Sequence, residues 1–323
     1  MLSAWTVSVP AMRRTINAVT TNPRRYPRST PPQRGFTLVE AVVVMVITGI
    51  LAGIMVLFIR RPVQNYTDAA ARAEVSDAAD LALRRMAREL RSALPNSVRL
   101  TVVGNVWWLE FIPTVSGGKY LAMEDNPGSA ASPLSFTNPV AAPFNVIGPM
   151  PALAQTGSSY IAIYNLGPGF VNADAYNRDN LALVTGMNIA NRTISYESAA
   201  AGEPANNGKN PYALAPQNPS PDQRFQVVTT PVTFRCDGQA NGSGTLTRFV
   251  AANFAAVQPQ PTAAAGRMLA NNVVACTFTI GTVASRQSAL IGLTLVLGRA
   301  SPGAANGLET VTLTHQIHVD NTP

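Results

Sequence analysis

The stretch Gly35-Phe36-Thr37-Leu38-Val39-Glu40, followed by an uncharged apolar run from Ala41 to Ile59, places one carboxylate at the entrance of a membrane-length helix. As a helix, Phe36 to Ile59 spans about 36 Å at about 1.5 Å per residue, enough to cross a hydrocarbon core of about 30 Å. An acid inside such a span costs about 2.5 kcal/mol or more as it approaches the helix centre, so Glu40 calls for a compensating partner. Snorkelling to the interface is the plain alternative.

The flanking residues point to a partner. Residues 1–35 carry Arg13, Arg14, Arg24, Arg25, Arg28 and Arg34 with no acid, and end in Arg34-Gly35 against Phe36. An ordinary secretory signal is cut after its apolar stretch, which is then lost. The order here resembles a type IV prepilin signal. The resemblance implies cleavage by prepilin peptidase between Gly35 and Phe36, N-methylation of Phe36, and retention of the apolar helix. It also implies that Glu40, five residues into the mature chain, pairs with a neighbouring subunit's N-terminus during assembly. Physical chemistry agrees: the new amine lies about one helical turn from Glu40, and a carboxylate near a helix N-terminus is favoured by the dipole. A 35-residue leader is long for such a signal, and Met12 offers an alternative start.

The formal charge of +7 suggests an anionic partner until its location is considered. Removing the six leader arginines leaves +1 for residues 36–323. The basic leader reports topology, with arginines held on the cytoplasmic side, and argues against nucleic acid as a partner.

Beyond Arg60-Arg61, Pro62 is expected to kink or break the helix. Helical period resumes from Val63 to Leu94, with Leu83, Met86, Leu90 and Leu94 on one stripe, Arg84, Arg85, Arg88 and Arg91 largely off it, and Pro95 as the stop. The sequence therefore divides into a leader (1–35), an apolar helix (36–62), an amphipathic helix (63–95) and a β-rich domain (96–323). Strands are predicted at 98–103, 107–112, 160–164, 181–184, 224–234, 245–250, 273–280, 289–297 and 310–319. Asn241-Gly242-Ser243-Gly244 marks a hairpin turn, and 124–151, 199–221 and 257–266 read as long loops. The fold class is α+β: a pilin-like long N-terminal helix packed on an antiparallel sheet with long loops.

The two cysteines, Cys236 and Cys276, fall on the outer side of the membrane, where disulfides persist. A bond between them is favoured over two buried thiols and is worth about 3 to 4 kcal/mol in the chain-entropy account. Catalysis has little footing. His315 and His318 face opposite sides of one strand and cannot easily grip one metal. Asn172, Asp174, Asn177 and Asp179 gather oxygen ligands without an EF-hand's spacing, and a polar turn is the preferred reading over a calcium site. No cofactor, metal or enzymatic activity is expected.

The far end narrows the resemblance. Pro231-Val-Thr-Phe-Arg-Cys-Asp-Gly238, Ala275-Cys-Thr-Phe278 and His315-Gln-Ile-His-Val-Asp-Asn-Thr-Pro323 are similar to the MSHA (mannose-sensitive haemagglutinin) pilus biogenesis protein O family. That implies a minor pilin or pseudopilin, anchored in the inner membrane by a single span with its C-terminal domain in the periplasm. Its partners would be prepilin peptidase, other minor and major pilins and the inner-membrane assembly platform, and its place would be at or near a pilus tip. A type II secretion pseudopilin, related to the J type, is the second reading. A tip adhesin binding through Trp107, Trp108 and the loops is the third.

Overall fold

Helix α1 runs from Leu38 to Leu90, and Pro62 lies inside it without ending it. Pro62 is exposed, so the ring and the carbonyl it frees one turn back meet no packed neighbour, and the expected break does not occur. The computed structural model describes residues 35–125, 131–155, 157–200, 207–282, 288–301 and 307–323. The leader arginines and Met12 lie outside the described residues. The chain divides after Val63 into two compact units.

In the second unit, the continuation of α1 turns Ala79, Ala82, Leu83, Met86, Ala87 and Leu90 inward, while Arg84, Arg85, Arg88 and Arg91 stay exposed. The helix stops four residues short of Leu94. The Ser92 hydroxyl donates to the Glu89 carbonyl at 2.7 Å, Leu94 N–H donates to Ile112 O and Thr114 N–H to Ser92 O. These bonds divert the chain before Pro95 can act as the stop. Leu94 is buried, but in a different cluster from the helical stripe.

Among the described residues thirteen strands follow, all paired antiparallel, in two assemblies. Strands β1 (Arg99–Val103), β2 (Val106–Phe111), β9 (Val232–Asp237), β10 (Gly244–Val250), β11 (Arg267–Thr282), β12 (Ser288–Ala300) and β13 (Leu308–Asp320) form a seven-stranded sheet in the order β1-β2-β9-β10-β11-β12-β13. Alternate residues of these strands, among them Phe111, Phe234, Phe278, Leu293 and Ile317, form one core with the buried stripe of α1. Along the face, Asp68 pairs with Arg299, Arg72 with Glu309, Asp80 with His315 and Glu89 with Arg248.

The second assembly is a closed barrel that the sequence reading did not foresee. It comprises β3 (Thr114–Tyr120), β4 (Phe144–Ile147), β5 (Tyr160–Ala162), β6 (Leu181–Asn188), β7 (Thr193–Ser198) and β8 (Arg224–Val228), in the order β3-β4-β7-β6-β5-β8. Strand β4 interrupts the segment read as a loop over 124–151. The run 224–234, read as one strand, is β8 of the barrel and β9 of the sheet, separated by a break at residues 229–231. Phe144, Tyr196, Tyr212 and Phe225 fill the barrel with edge and tilted ring contacts. Gly118 of β3 is required there: a Cβ at this position would lie 2.7 Å from the Phe225 ring.

A polar network joins sheet to barrel. The Arg99 guanidinium lies 3.5 Å from the centroid of the Tyr176 ring, pairs with Glu110 at 3.1 Å, and donates to the carbonyls of Ala255 and Ala256. Tyr176 donates to Ser97 O at 2.8 Å, and Asn165 to Pro95 O at 2.7 Å. Burial pushes the Glu110 carboxyl above its ordinary value, while the charge and hydrogen bond of Arg99 pull it part of the way back. Arg99→Ala removes that compensation, so it is expected to cost about 3–5 kcal/mol near neutral pH. A carboxyl whose folded pKa is raised stabilises the fold fully below its unfolded pKa, and that contribution is lost as pH rises through the folded pKa. The deficit of the variant therefore shrinks as pH falls toward about 5. Urea unfolding of the detergent-solubilised protein, followed by tryptophan fluorescence at both pH values, measures this.

Candidate functional site at the N-terminal helix entrance

Thr37 precedes the first helical residue, and its hydroxyl accepts from the Glu40 backbone N–H at 3.3 Å. Ala41 N–H donates to Thr37 O at 3.2 Å. Thr37 is thus the N-cap and Glu40 the third helical residue, the Thr-x-x-Glu arrangement that satisfies otherwise orphaned helix-start donors. The sequence reading treated Glu40 as an assembly carboxylate and missed its place in a capping pattern, though the Thr37–Glu40 spacing carries that signal. Glu40 also sits in the positive field of the helix N-terminus.

Glu40 is exposed and forms no ion pair among the described residues, so its charge is held by the helix start and is open to a second cation. Phe36 is 78% exposed. No atom lies within 4 Å of where a Cβ on Gly35 would stand. Among the described residues, therefore, nothing covers the junction between Gly35 and Phe36.

The apolar residues from Phe36 to Ile59 are broadly exposed, and α1 is the one helix among the described residues long and apolar enough to cross a membrane. The one hydroxyl in the apolar run from Ala41 to Ile59, on Thr48, donates to Val44 O at 2.7 Å, which removes the cost of placing that group in lipid. Gly49 and Gly53, also not singled out from sequence, stand four apart with open space above them. That spacing lets the backbone of a neighbouring helix approach closely.

The remaining sequence-derived candidates have other surroundings. Cys236 of β9 and Cys276 of β11 form a disulfide with a Cα–Cα distance of 6.4 Å, linking the two strands that flank β10. Cys236→Ser together with Cys276→Ser is expected to lower the stability of the oxidised protein by about 2–4 kcal/mol. Equilibrium urea unfolding measures it, with the reduced wild type as reference. Trp108 is buried, with its indole N–H directed at Pro261 O at 3.4 Å, and Trp107 packs on Phe278. The Trp107–Trp108 pair therefore belongs to the packing of the sheet and supplies no open aromatic platform.

His315 lies on the inner face, 3.6 Å from Asp80, and His318 is exposed on the other. Asp174 accepts from Tyr176 N–H, and Asp179 accepts from Asp174 N–H, both at 2.9 Å. Burial is the main reason both carboxyls titrate above their ordinary values. These oxygens stabilise their own turn. Among the described residues no three His, Cys, Asp or Glu side chains converge as a metal site requires.

Comparison with known families finds the prokaryotic N-terminal methylation motif over residues 31–56. The matched segment contains Gly35, Phe36, Glu40 and all but the last three residues of the apolar run. No curated protein and no solved structure gives a match. The N-terminal segment is type IV prepilin-like, and one long helix with antiparallel sheets is consistent with a pilin-like α+β fold.

Proposed function

We propose that this chain is a minor pilin or pseudopilin: a non-catalytic subunit cut by prepilin peptidase between Gly35 and Phe36, methylated on Phe36, and used to prime or build a type IV pilus of the MSHA type at or near its tip. The observation that carries the reading is the methylation motif over 31–56 combined with an exposed Glu40 at the third position of a capped, fully apolar helix start. A carboxylate so placed has a helix terminus on one side and, after cleavage, a cationic amine within reach in its own or an adjacent chain. The second unit supports a minor rather than a repeating role, because a barrel beside the helix-bearing sheet adds bulk that a subunit packed against copies of itself all along a filament would have to accommodate. Residues 231–238, 275–278 and 315–323 support the MSHA reading.

The same geometry serves a type II secretion pseudopilin, for which assembly chemistry is shared and the cargo differs. The two are separated by deleting the chain and scoring surface pili and protein secretion side by side: the proposal expects loss of pili with secretion intact. The direct test of the reading is the N-terminal mass of membrane-extracted protein together with immunodetection in sheared pili. A chain that begins with N-methylated Phe36 and is found in pili is expected. A chain that retains residues 1–35, or that is absent from pili at normal membrane abundance, overturns it.

A further inference from the structure

Three acids are buried among the described residues, and two of them have partners. Glu110 has Arg99 at 3.1 Å, and Asp174 accepts from Tyr176 N–H at 2.9 Å. Glu197, on β7, is 4% exposed. It has no ion pair and no side-chain hydrogen bond among the described residues, Lys209 of the adjoining segment included. The neighbouring sequence 201–206 holds no Lys, Arg or His either. A carboxylate with so little water around it and no partner is costly, so its retention calls for a reason.

Its surroundings supply one. Tyr196 belongs to the barrel core, so its strand neighbours Ser195 and Glu197 lie together on the outer face, where they line a cavity of about 310 Å³. One oxygen of Glu110 is sealed inside the protein without a partner; neither oxygen of Glu197 is sealed, so this carboxylate opens onto the cavity. On β6 a register shift between Val184 and Gly186 leaves Thr185 as the extra residue, and Thr185 also lines the cavity. Bulges of this kind re-aim side chains beside sites. The rest of the wall is mainly apolar. It includes Ala141, Pro143 and Gly208, fixed by the Ala141 N–H bond to Gly208 O at 2.8 Å.

We propose that this cavity binds a small aliphatic primary amine, with the ammonium on Glu197 and the hydroxyls of Ser195 and Thr185, and the carbon body against Ala141, Pro143 and Gly208. An ammonium brings three donors and no acceptor, and the cavity offers a carboxylate and two hydroxyls with no basic side chain among its lining residues. A calcium ion takes about six to eight oxygens, carboxylates prominent among them, and a single carboxylate is here. Size sets the rest. At about 30 Å³ per water the space holds about ten non-hydrogen atoms, at the lower end of small-molecule sites. A lysine side chain reaching in from a partner would leave much of it empty. The site stands or falls independently of the assembly reading.

Three probes of one shape test it: 6-aminohexan-1-ol, hexane-1,6-diol and 6-hydroxyhexanoate carry an ammonium, a hydroxyl and a carboxylate on the same chain. They are titrated into the detergent-solubilised full chain at neutral pH and followed by saturation-transfer NMR against empty micelles. The amine is expected to bind at least about tenfold more tightly than either analogue. Glu197→Gln, close to isosteric, is expected to weaken the amine by on the order of tenfold. Glu74→Gln, at an exposed acid of α1, leaves it unchanged. Saturating amine is expected to raise the urea midpoint of the wild type and not that of Glu197→Gln, whose midpoint without amine shows that it is folded.

Equal binding of the three probes, or undiminished binding of the amine by Glu197→Gln, overturns the role of the carboxylate. A midpoint raised by calcium chloride and not by the amine overturns the ligand class. Tighter binding of Nα-acetyl-lysine N-methylamide than of the amine assigns the cavity to a partner's side chain and overturns the free ligand. Folded wild-type protein that binds none of these probes overturns the site.

Discussion

Protein carrying Gly35→Val is expected to accumulate at the membrane with residues 1–35 still attached and Phe36 unmethylated. The reason lies in the peptidase step rather than in folding. Space around Gly35 is open for 4 Å, and the position precedes the helix, so the chain itself tolerates a side chain there. A protease that must draw the scissile backbone close to its reacting groups does not, and a displacement of about 1 Å at a reacting centre costs on the order of 100-fold in rate. Gly35→Ala tests the gradation, with a smaller block expected than for valine. Intact mass of the membrane-extracted protein reads retention of the leader and loss of the methyl group together. Normal cleavage of the valine variant would separate Gly35 from the processing site and remove the main support for the assembly reading.

What the sequence revealed of the fold depended on how strongly each segment repeats its pattern. The apolar half of α1 needed only composition and length, and its second half shows an apolar stripe with arginines outside it. Strands β12 and β13 alternate between a more open face and the core, and β2 and β10 are runs rich in β-branched and aromatic residues, so all four announce themselves. The barrel does so only in part: β5, β6 and β8 fall in runs read as strands, while β3, β4 and β7 do not. Strand β3 reads Thr-Val-Ser-Gly-Gly-Lys-Tyr, with glycines whose value becomes visible only when Phe225 is seen lying over one of them. Strand β4 is four residues long, and β7 follows the turn residues Asn191-Arg192. Pro231 was the available sign that 224–234 could not be one strand, since proline within a run argues against a continuous ladder. Pro95 marked only the outer limit of α1, because the Ser92 hydroxyl bond to Glu89 O and the backbone bonds of Leu94 to Ile112 and of Thr114 to Ser92 end the helix earlier. At the candidate site the carboxylate and the apolar span were legible as chemistry. The capping role of Thr37 was legible in spacing and overlooked.

Glu40→Ala is expected to leave insertion and cleavage intact, because the span becomes more apolar, while sharply reducing the amount of chain in sheared pili. Two contributions are lost with the carboxylate, and their sizes differ. At the helix start its interaction with the dipole is worth about 0.3–1 kcal/mol, and the Thr37 hydroxyl bond to the Glu40 N–H is a backbone contact that survives the substitution. Pairing with a cationic N-terminal amine in a water-poor subunit interface is larger. Truncating one partner of a buried charge pair costs about 2–5 kcal/mol, on the order of 30-fold or more in the equilibrium between membrane pool and filament. Glu40→Gln removes the charge, and with it both of these contributions, but keeps a side chain that serves a capping arrangement as well as glutamate. If charge pairing is the function, glutamine is excluded from pili nearly as strongly as alanine. If glutamine assembles normally and alanine does not, the side chain acts through capping at the helix start and its charge is not needed. Quantifying both variants in sheared pili against their inner-membrane abundance decides between these roles, and unchanged incorporation of both variants at normal abundance would remove the assembly function proposed for Glu40.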